Sequence, residues 1–203
     1  SVLTAEHPDP TGYGRIIRAD DDSLLRIVEE RDADEIQRDI LEVNSGVYVF
    51  DAITLAGAFG KLKNDNSQGE LYLTDVIEIL RNEGGKIAAV LIDDFIEILG
   101  VNDRVQLAES AALLRDRINE DLMRDGVTIV DPLSTWVDAT ATVASDVVLM
   151  PGTAISGTTT VAVGAVIGPR TTLVDCTVGT GARVIESRCT EAIIGEGASV
   201  GPY

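Results

Sequence analysis

The sequence predicts an α/β domain, then a long helix, then a parallel β-helix of hexapeptide repeats. Three patterns predict it. Apolar strand-like runs alternate with helical segments over residues 1–104. One apolar face at 3–4 spacing runs through residues 103–125. Beyond it, Val137, Val143, Leu149, Ile155, Val161, Ile167 and Leu173 stand six residues apart. The step then slips and resumes as Val178 and Val184, and again as Ile194 and Val200. A period of six fits neither a 3.6-residue helix nor a hairpin. It fits a chain that turns through about 120° every six residues with one aliphatic side chain pointing inward, so that three turns close a coil.

In the first part, "RIIRA", "LLRIVEE", "GVYVFD" and "KIAAVLI" read as strands, with helices near 51–63 and 74–83. Asp51 is placed to cap the first helix and Thr74 the second, which Gly84 stops. Val76, Ile77 and Leu80 share the second helix's apolar face. In the long helix Leu107, Ala111, Leu114, Ile118 and Leu122 form one face, and Gly126 ends it. Such a helix reads as a rigid connector. From Val127 the period changes, with Pro132 as breaker and Trp136 as packing anchor of the first coil. Small residues fill the corners, where the backbone bends sharply. At about eighteen residues per coil, residues 137–203 make between three and four coils.

The chain has 203 residues, 45% of them hydrophobic, enough for one or two real cores. No apolar run is long enough to span a membrane, and the start lacks a signal-peptide pattern. It begins without methionine, like a strand interior, and reads as a segment of a longer protein. Net charge is −18, with 27 acidic and 13 basic groups in residues 1–125. That argues against nucleic acid and anionic membranes as partners. Cys176 and Cys189 read as small buried hydrophobes in a reducing, cytoplasmic setting. The single histidine, His7, reads as an exposed loop residue, and with none among the coils a histidine-ligated metal there is excluded.

The segments "DPTGYGRI", "IVEE", "EVNSGVYVFD", "GELYLTD" and "GVNDRVQLAE", then a long helix and hexapeptide coils, follow in a telling order. Together they resemble the bifunctional N-acetylglucosamine-1-phosphate uridyltransferase/glucosamine-1-phosphate acetyltransferase (GlmU) family, which makes UDP-N-acetylglucosamine. The wording "VYVFD", "ELYLTDV" and "DPLSTWVD" is most similar to actinobacterial members. The resemblance implies that residues 1–104 are the C-terminal part of a Rossmann-like nucleotide-diphospho-sugar transferase domain, 105–125 a linker helix, and 126–203 the N-terminal coils of a left-handed parallel β-helix. It implies a homotrimer, Mg²⁺ as cofactor, and UTP, N-acetylglucosamine-1-phosphate, acetyl-CoA and glucosamine-1-phosphate as substrates of the full-length enzyme. The family's G-x-G-T-R-M segment with its lysine and magnesium-binding aspartate is not found here, nor is the L-R-P-G stretch with the acetyl-transfer residues. The resemblance therefore implies a middle segment that is inactive alone. Two other readings are a monofunctional sugar-1-phosphate nucleotidyltransferase with a β-helix tail and a non-catalytic trimerisation module.

By resemblance, four residues bind substrate. Gly14 offers its backbone to the sugar, since a residue without Cβ lets a ligand approach closely; by pattern alone it is also a hairpin-turn glycine. Gly12 and Gly14 are not a dinucleotide fingerprint, because the third glycine is missing and a strand follows. Glu29 accepts from sugar hydroxyls, though either it or Glu30 also reads as a solvated charge. Asn44 suits a hydroxyl or acetamido group, and equally a turn. Asn102 matches the family's magnesium-binding asparagine, and equally a cap of the long helix. Glu70, Tyr72 and Thr74 match a pocket wall, or simply the entry of a helix. No residue of the chain is assigned a catalytic role.

Overall fold

The computed structural model describes residues 1–101 and 103–203; Asn102 lies outside the described residues. The chain divides into two compact units, Ser1–Gly100 and Val101–Tyr203.

In the first unit, strands β1 (Val2–Glu6), β2 (Arg15–Arg18), β3 (Leu24–Val28), β4 (Glu42–Tyr48) and β5 (Ala89–Ile92) form one sheet in the order β3-β2-β4-β1-β5. The sheet is mixed. The pairs β1–β4, β2–β3 and β2–β4 are antiparallel, and β1–β5 is parallel. Short helix α1 (Glu35–Arg38) closes with a capping box from Asp34 and Gln37. Helix α2 (Ala52–Phe59) is capped by Asp51, whose carboxylate accepts from the Thr54 N–H. Helix α3 (Asp75–Asn82) ends before Gly84, at φ +80°.

Val2, Ile16, Leu24, Ile27 and Ile77 pack α3 onto one side of the sheet. Ala58, Val76 and Leu80 join α2 to α3. A separate cluster of Ala5, Val43 and Ile98 takes in the 3-10 turn Phe95–Ile98. His7 is not the exposed loop residue that its sequence suggests. It is half-buried, its ring 5.2 Å from Tyr13 and 4.7 Å from Phe95.

In the second unit, helix α4 (Arg104–Arg124) is capped by Asp103, which accepts from the Val105 and Gln106 N–H groups. Its expected apolar face is covered only in its later half. Ile118 and Leu122 pack against the coils, while Leu107 and Leu114 are more than half exposed. The helix is pinned instead by a polar residue that the apolar pattern passed over. Asn119, 1% exposed, donates to the carbonyls of Pro132 and Thr135, each at 3.0 Å. Trp136 anchors less than expected, being 44% exposed with the Arg115 guanidinium 4.9 Å from its ring centroid.

The coils behave as the six-residue spacing requires. Short strands stack into three faces, every pairing parallel. Leu149, Ile155, Val161, Ile167, Leu173, Val178 and Val184 are at most 2% exposed inside them. Two residues before these aliphatics runs a second buried row, with Thr153, Thr159, Ala165, Thr171, Cys176 and Ala182 at 0–1% exposure. Its hydroxyls are not orphaned: Thr153 Oγ1 donates to Met150 O and Thr159 Oγ1 to Ser156 O, each at 2.7 Å.

The slip in the period has a local cause. Ile155 pairs with Leu173, but Leu173 pairs with Cys189, so the later coil is shorter. Cys189 is thus an inward position that the aliphatic pattern skipped. Six-residue corners mostly turn on a glycine at positive φ, such as Gly157, Gly164, Gly181 and Gly197. The three five-residue steps turn instead on Asp175, Glu186 and Glu191, at φ +51°, +45° and +49°. A non-glycine residue held there is disfavoured by about 1–2 kcal/mol. Glu191→Gly is expected to stabilise the unit by about 0.5–1 kcal/mol, after the entropy cost of glycine is set against the relief. Gly197→Ala is expected to destabilise it by about 1 kcal/mol. Urea midpoints of the two variants measure both.

Candidate functional site

Gly14 follows the turn that opens β2. Its carbonyl accepts from the Asn44 N–H at 2.8 Å, so these two positions share a backbone bond. A Cβ on Gly14 would stand 3.1 Å from Ile27 Cγ2, 3.5 Å from Glu29 Oε2 and 3.6 Å from Asn44 Cβ. Gly14, Glu29 and Asn44 therefore converge from three separate segments. Absence of a side chain at Gly14 keeps that space open.

Thr74 joins them from the start of α3. It occupies the cap position, but in helical conformation and without a capping bond. Its hydroxyl donates to Glu29 Oε1 at 2.9 Å instead. Thr74 is thus a partner of the Glu29 carboxylate rather than a helix cap. Asn44 Oδ1 accepts from the Gly46 N–H at 3.1 Å, which fixes the amide's orientation.

Tyr72 shares with Glu29 the wall of a cavity of about 640 Å³. Its hydroxyl accepts from Gln68 Nε2 at 2.7 Å, and Asp32 accepts from the Ser67 N–H at 2.8 Å. These bonds tie the polar loop before α3 to the end of β3. Glu70 is not brought in: it is exposed, its backbone is held by Asn66, and it does not line the cavity. Arg26, Lys61 and Lys63 also line the cavity, cations that no sequence motif marked. Acidic groups outnumber them. Burial, and then the like charges of Glu78, Asp65, Glu29 and Asp32, raise the Asp75 carboxyl above its ordinary value. Among the described residues no group of three or more His, Cys, Asp or Glu side chains could hold a metal ion.

Beneath the cluster stands Tyr48, which the sequence reading missed. Its hydroxyl is buried without a hydrogen-bond partner. Burial pushes it up to about 12; the nearby Glu29 charge adds to this, and the Asn44 amide, close but outside hydrogen-bond geometry, works against it. No sequence periodicity marked it: between Asn44 and Tyr48 the register of β4 against β1 is irregular, with Gly46 at φ +77°, so strand alternation does not place it.

Hexapeptide coils preceded by a capped helix, in a chain that also carries a mixed α/β unit, define a β-solenoid protein with a second, sheet-based unit. No protein-family model matches the chain. Along all its residues, however, it is 53% identical to the Bifunctional protein GlmU of Mycolicibacterium vanbaalenii. It is 52% identical to the proteins of that name from Corynebacterium efficiens and Streptomyces coelicolor. Over the segment it spans, the chain is similar to proteins named Bifunctional protein GlmU, many of them from actinobacteria. It spans 41–42% of the length of these three relatives.

The Tyr48 environment sets a pH dependence. A tyrosine whose folded value lies above the unfolded one stabilises the fold below the unfolded value, and that contribution is lost as pH rises through the folded value. Absorbance titration near 295 nm is expected to show one phenol ionising near pH 12. Tyr48→Phe is expected to remove that step and leave the other tyrosines unchanged.

Proposed function

We propose that this chain is part of an enzyme that makes UDP-N-acetylglucosamine. In this reading residues 1–104 supply the sugar side of a uridyl-transfer site. Residues 105–125 form the linker, and 126–203 are the first coils of a left-handed β-helix whose full length carries acetyl transfer from acetyl-CoA to glucosamine-1-phosphate. The convergence of Gly14, Glu29, Asn44 and Thr74 carries the proposal. Residues of four short motifs, far apart in sequence, meet at one place.

In the reaction, a phosphate oxygen of N-acetylglucosamine-1-phosphate attacks the α-phosphorus of UTP, and pyrophosphate leaves. Such transfers depend on alignment and charge neutralisation. The chain's residues do the aligning. Glu29, held by Thr74, accepts from sugar hydroxyls, the Asn44 amide meets a hydroxyl or the acetamido group, and the Gly14 backbone lies against the sugar. Tyr72 forms the wall. Asn102 is a neutral oxygen ligand for Mg²⁺, whose charge would offset the developing negative charge on the phosphates. The acidic cavity lining explains why the chain alone is expected to hold phosphate poorly.

Asn102→Ala in the enzyme that carries this chain is expected to lower uridyl transfer by about 10²–10³-fold. Acetyl transfer is expected to stay unchanged, since it belongs to the coils. A pyrophosphate-release assay and an acetyl-CoA consumption assay measure the two. The 203-residue chain by itself is expected to show neither activity. Equal loss of both activities in the variant would count against the division of labour.

We also propose that the enzyme works as a homotrimer, through side-by-side coils, in the cytoplasm. Ile193 at 87% exposure and Val163 at 42% offer apolar surface on the coils for such packing. Light scattering at micromolar concentration is expected to give three times the chain mass, and Ile193→Asp to shift it toward monomer.

A further inference from the structure

Glu29 and Glu30 are neighbours with the same side chain, and the fold gives them different partners. Glu29 faces Gly14 and Thr74. Glu30 turns to Arg15, whose Nη2 donates to its Oε2 at 2.7 Å. Arg15 is 1% exposed, among the most deeply buried side chains of the chain. A guanidinium removed from water needs its donors filled. Nε and Nη2 reach the Arg38 carbonyl at 3.4 Å, and Nη1 donates to the Tyr13 carbonyl.

The same Glu30 oxygen also accepts from the Gly12 N–H at 3.3 Å. One ion pair thus grips Gly12 by its N–H and Tyr13 by its C=O, the two residues just before Gly14. Elsewhere the turn is held by the Tyr13 N–H on the Pro10 carbonyl at 3.1 Å and by the Asn44 N–H on the Gly14 carbonyl at 2.8 Å; the ion pair adds the holds on the Gly12 N–H, at φ +87°, and on the Tyr13 carbonyl. A further hold, from the Gly100 N–H to Tyr13 Oη at 3.3 Å, fixes the ring but not the main chain.

We propose that the Arg15–Glu30 pair is a positioning device for the sugar side of the site. It sets the main chain of the Gly12–Gly14 turn, so that Gly14 presents its backbone at the distance the sugar phosphate requires. The inference rests on the reading of Gly14 as a sugar contact. Neither Arg15 nor Glu30 touches the ligand. Glu30 acts through Gly12, and Arg15 acts through Tyr13 and Glu30.

The test uses the full-length enzyme and two variants. Glu30→Gln keeps an acceptor near Gly12 but removes the charge. The double variant Arg15→Met with Glu30→Leu replaces the pair with apolar groups of similar size, a change that buried ion pairs often tolerate without loss of stability. In both, amide hydrogen exchange at Gly12 is expected to speed up while exchange in the coils stays unchanged. The KM for N-acetylglucosamine-1-phosphate is expected to rise about tenfold in the double variant, the scale of one lost charge-assisted hydrogen bond, and less in Glu30→Gln. The KM for UTP, kcat and acetyl transfer are expected to stay within about twofold, below the scale of one hydrogen bond.

Unchanged exchange at Gly12 overturns the device. Faster exchange with an unchanged sugar-phosphate KM overturns its role in positioning. A uniform fall in every parameter with a lower melting temperature shows a stabilising pair only, and overturns it too. A wild-type enzyme that releases no pyrophosphate from these substrates overturns the uridyl-transfer reading, and the positioning role falls with it while the Gly12 exchange result still stands.

Discussion

Register between successive coils is the constraint on which the second unit depends. Each coil returns to the same three faces and donates its N–H groups to the carbonyls of the next, as Trp136 does to Thr153, Ala154 to Thr171 and Thr172 to Ser187, each at 2.9 Å. In a parallel stack these bonds and the inward side chains keep step together. Shifting a strand by one residue would turn its aliphatic outward and a polar neighbour inward. The prism is narrow, so burying a polar side chain without a partner would be costly. The inner row is accordingly aliphatic, and the second row uses threonine only where its hydroxyl reaches a carbonyl.

A shorter coil can keep register only by tightening its corners. The chain does so at Asp175, Glu186 and Glu191, which take up the left-handed conformation otherwise supplied mostly by glycine. The cost is local, and the inward positions are preserved. Cys189 fills the place of an aliphatic, and Val178, Val184 and Ile194 stay inside. Both cysteines belong to this packing. Cys176 is fully buried, and burial, with Cys176 nearby, raises the Cys189 thiol above its ordinary value.

The first unit is organised by buried polar pairs as much as by its apolar clusters. Glu42 shows the balance. Burial alone would push its carboxyl up, but hydrogen bonds from Arg18 and Thr4 outweigh it and hold it below the usual carboxylate range. That contribution is present above the unfolded value and is lost as pH falls through the folded one. The Arg15–Glu30 pair likewise sets a guanidinium against a carboxylate, here with Arg15 1% exposed. Between them these bonds fix the ends of β2 and β4, from which Gly14 and Asn44 project.

The sequence by itself determined the solenoid, because a six-residue period is a property of one chain segment read against its own geometry. It also determined α4 and the helix stop at Gly126, where local spacing and a glycine suffice. The resemblance of its motifs pointed to Gly14, Glu29, Asn44 and Thr74 one at a time. Tertiary structure decided what no local pattern holds. It joined Thr74 to Glu29 instead of to its own helix, separated Glu29 from Glu30, and left Glu70 outside. It buried Asn119 against the first coil and Tyr48 under the cluster. Each of these depends on contacts between residues far apart along the chain. Such contacts arise when sheet pairing brings the segments together, and a single polar residue carries no periodic trace of them.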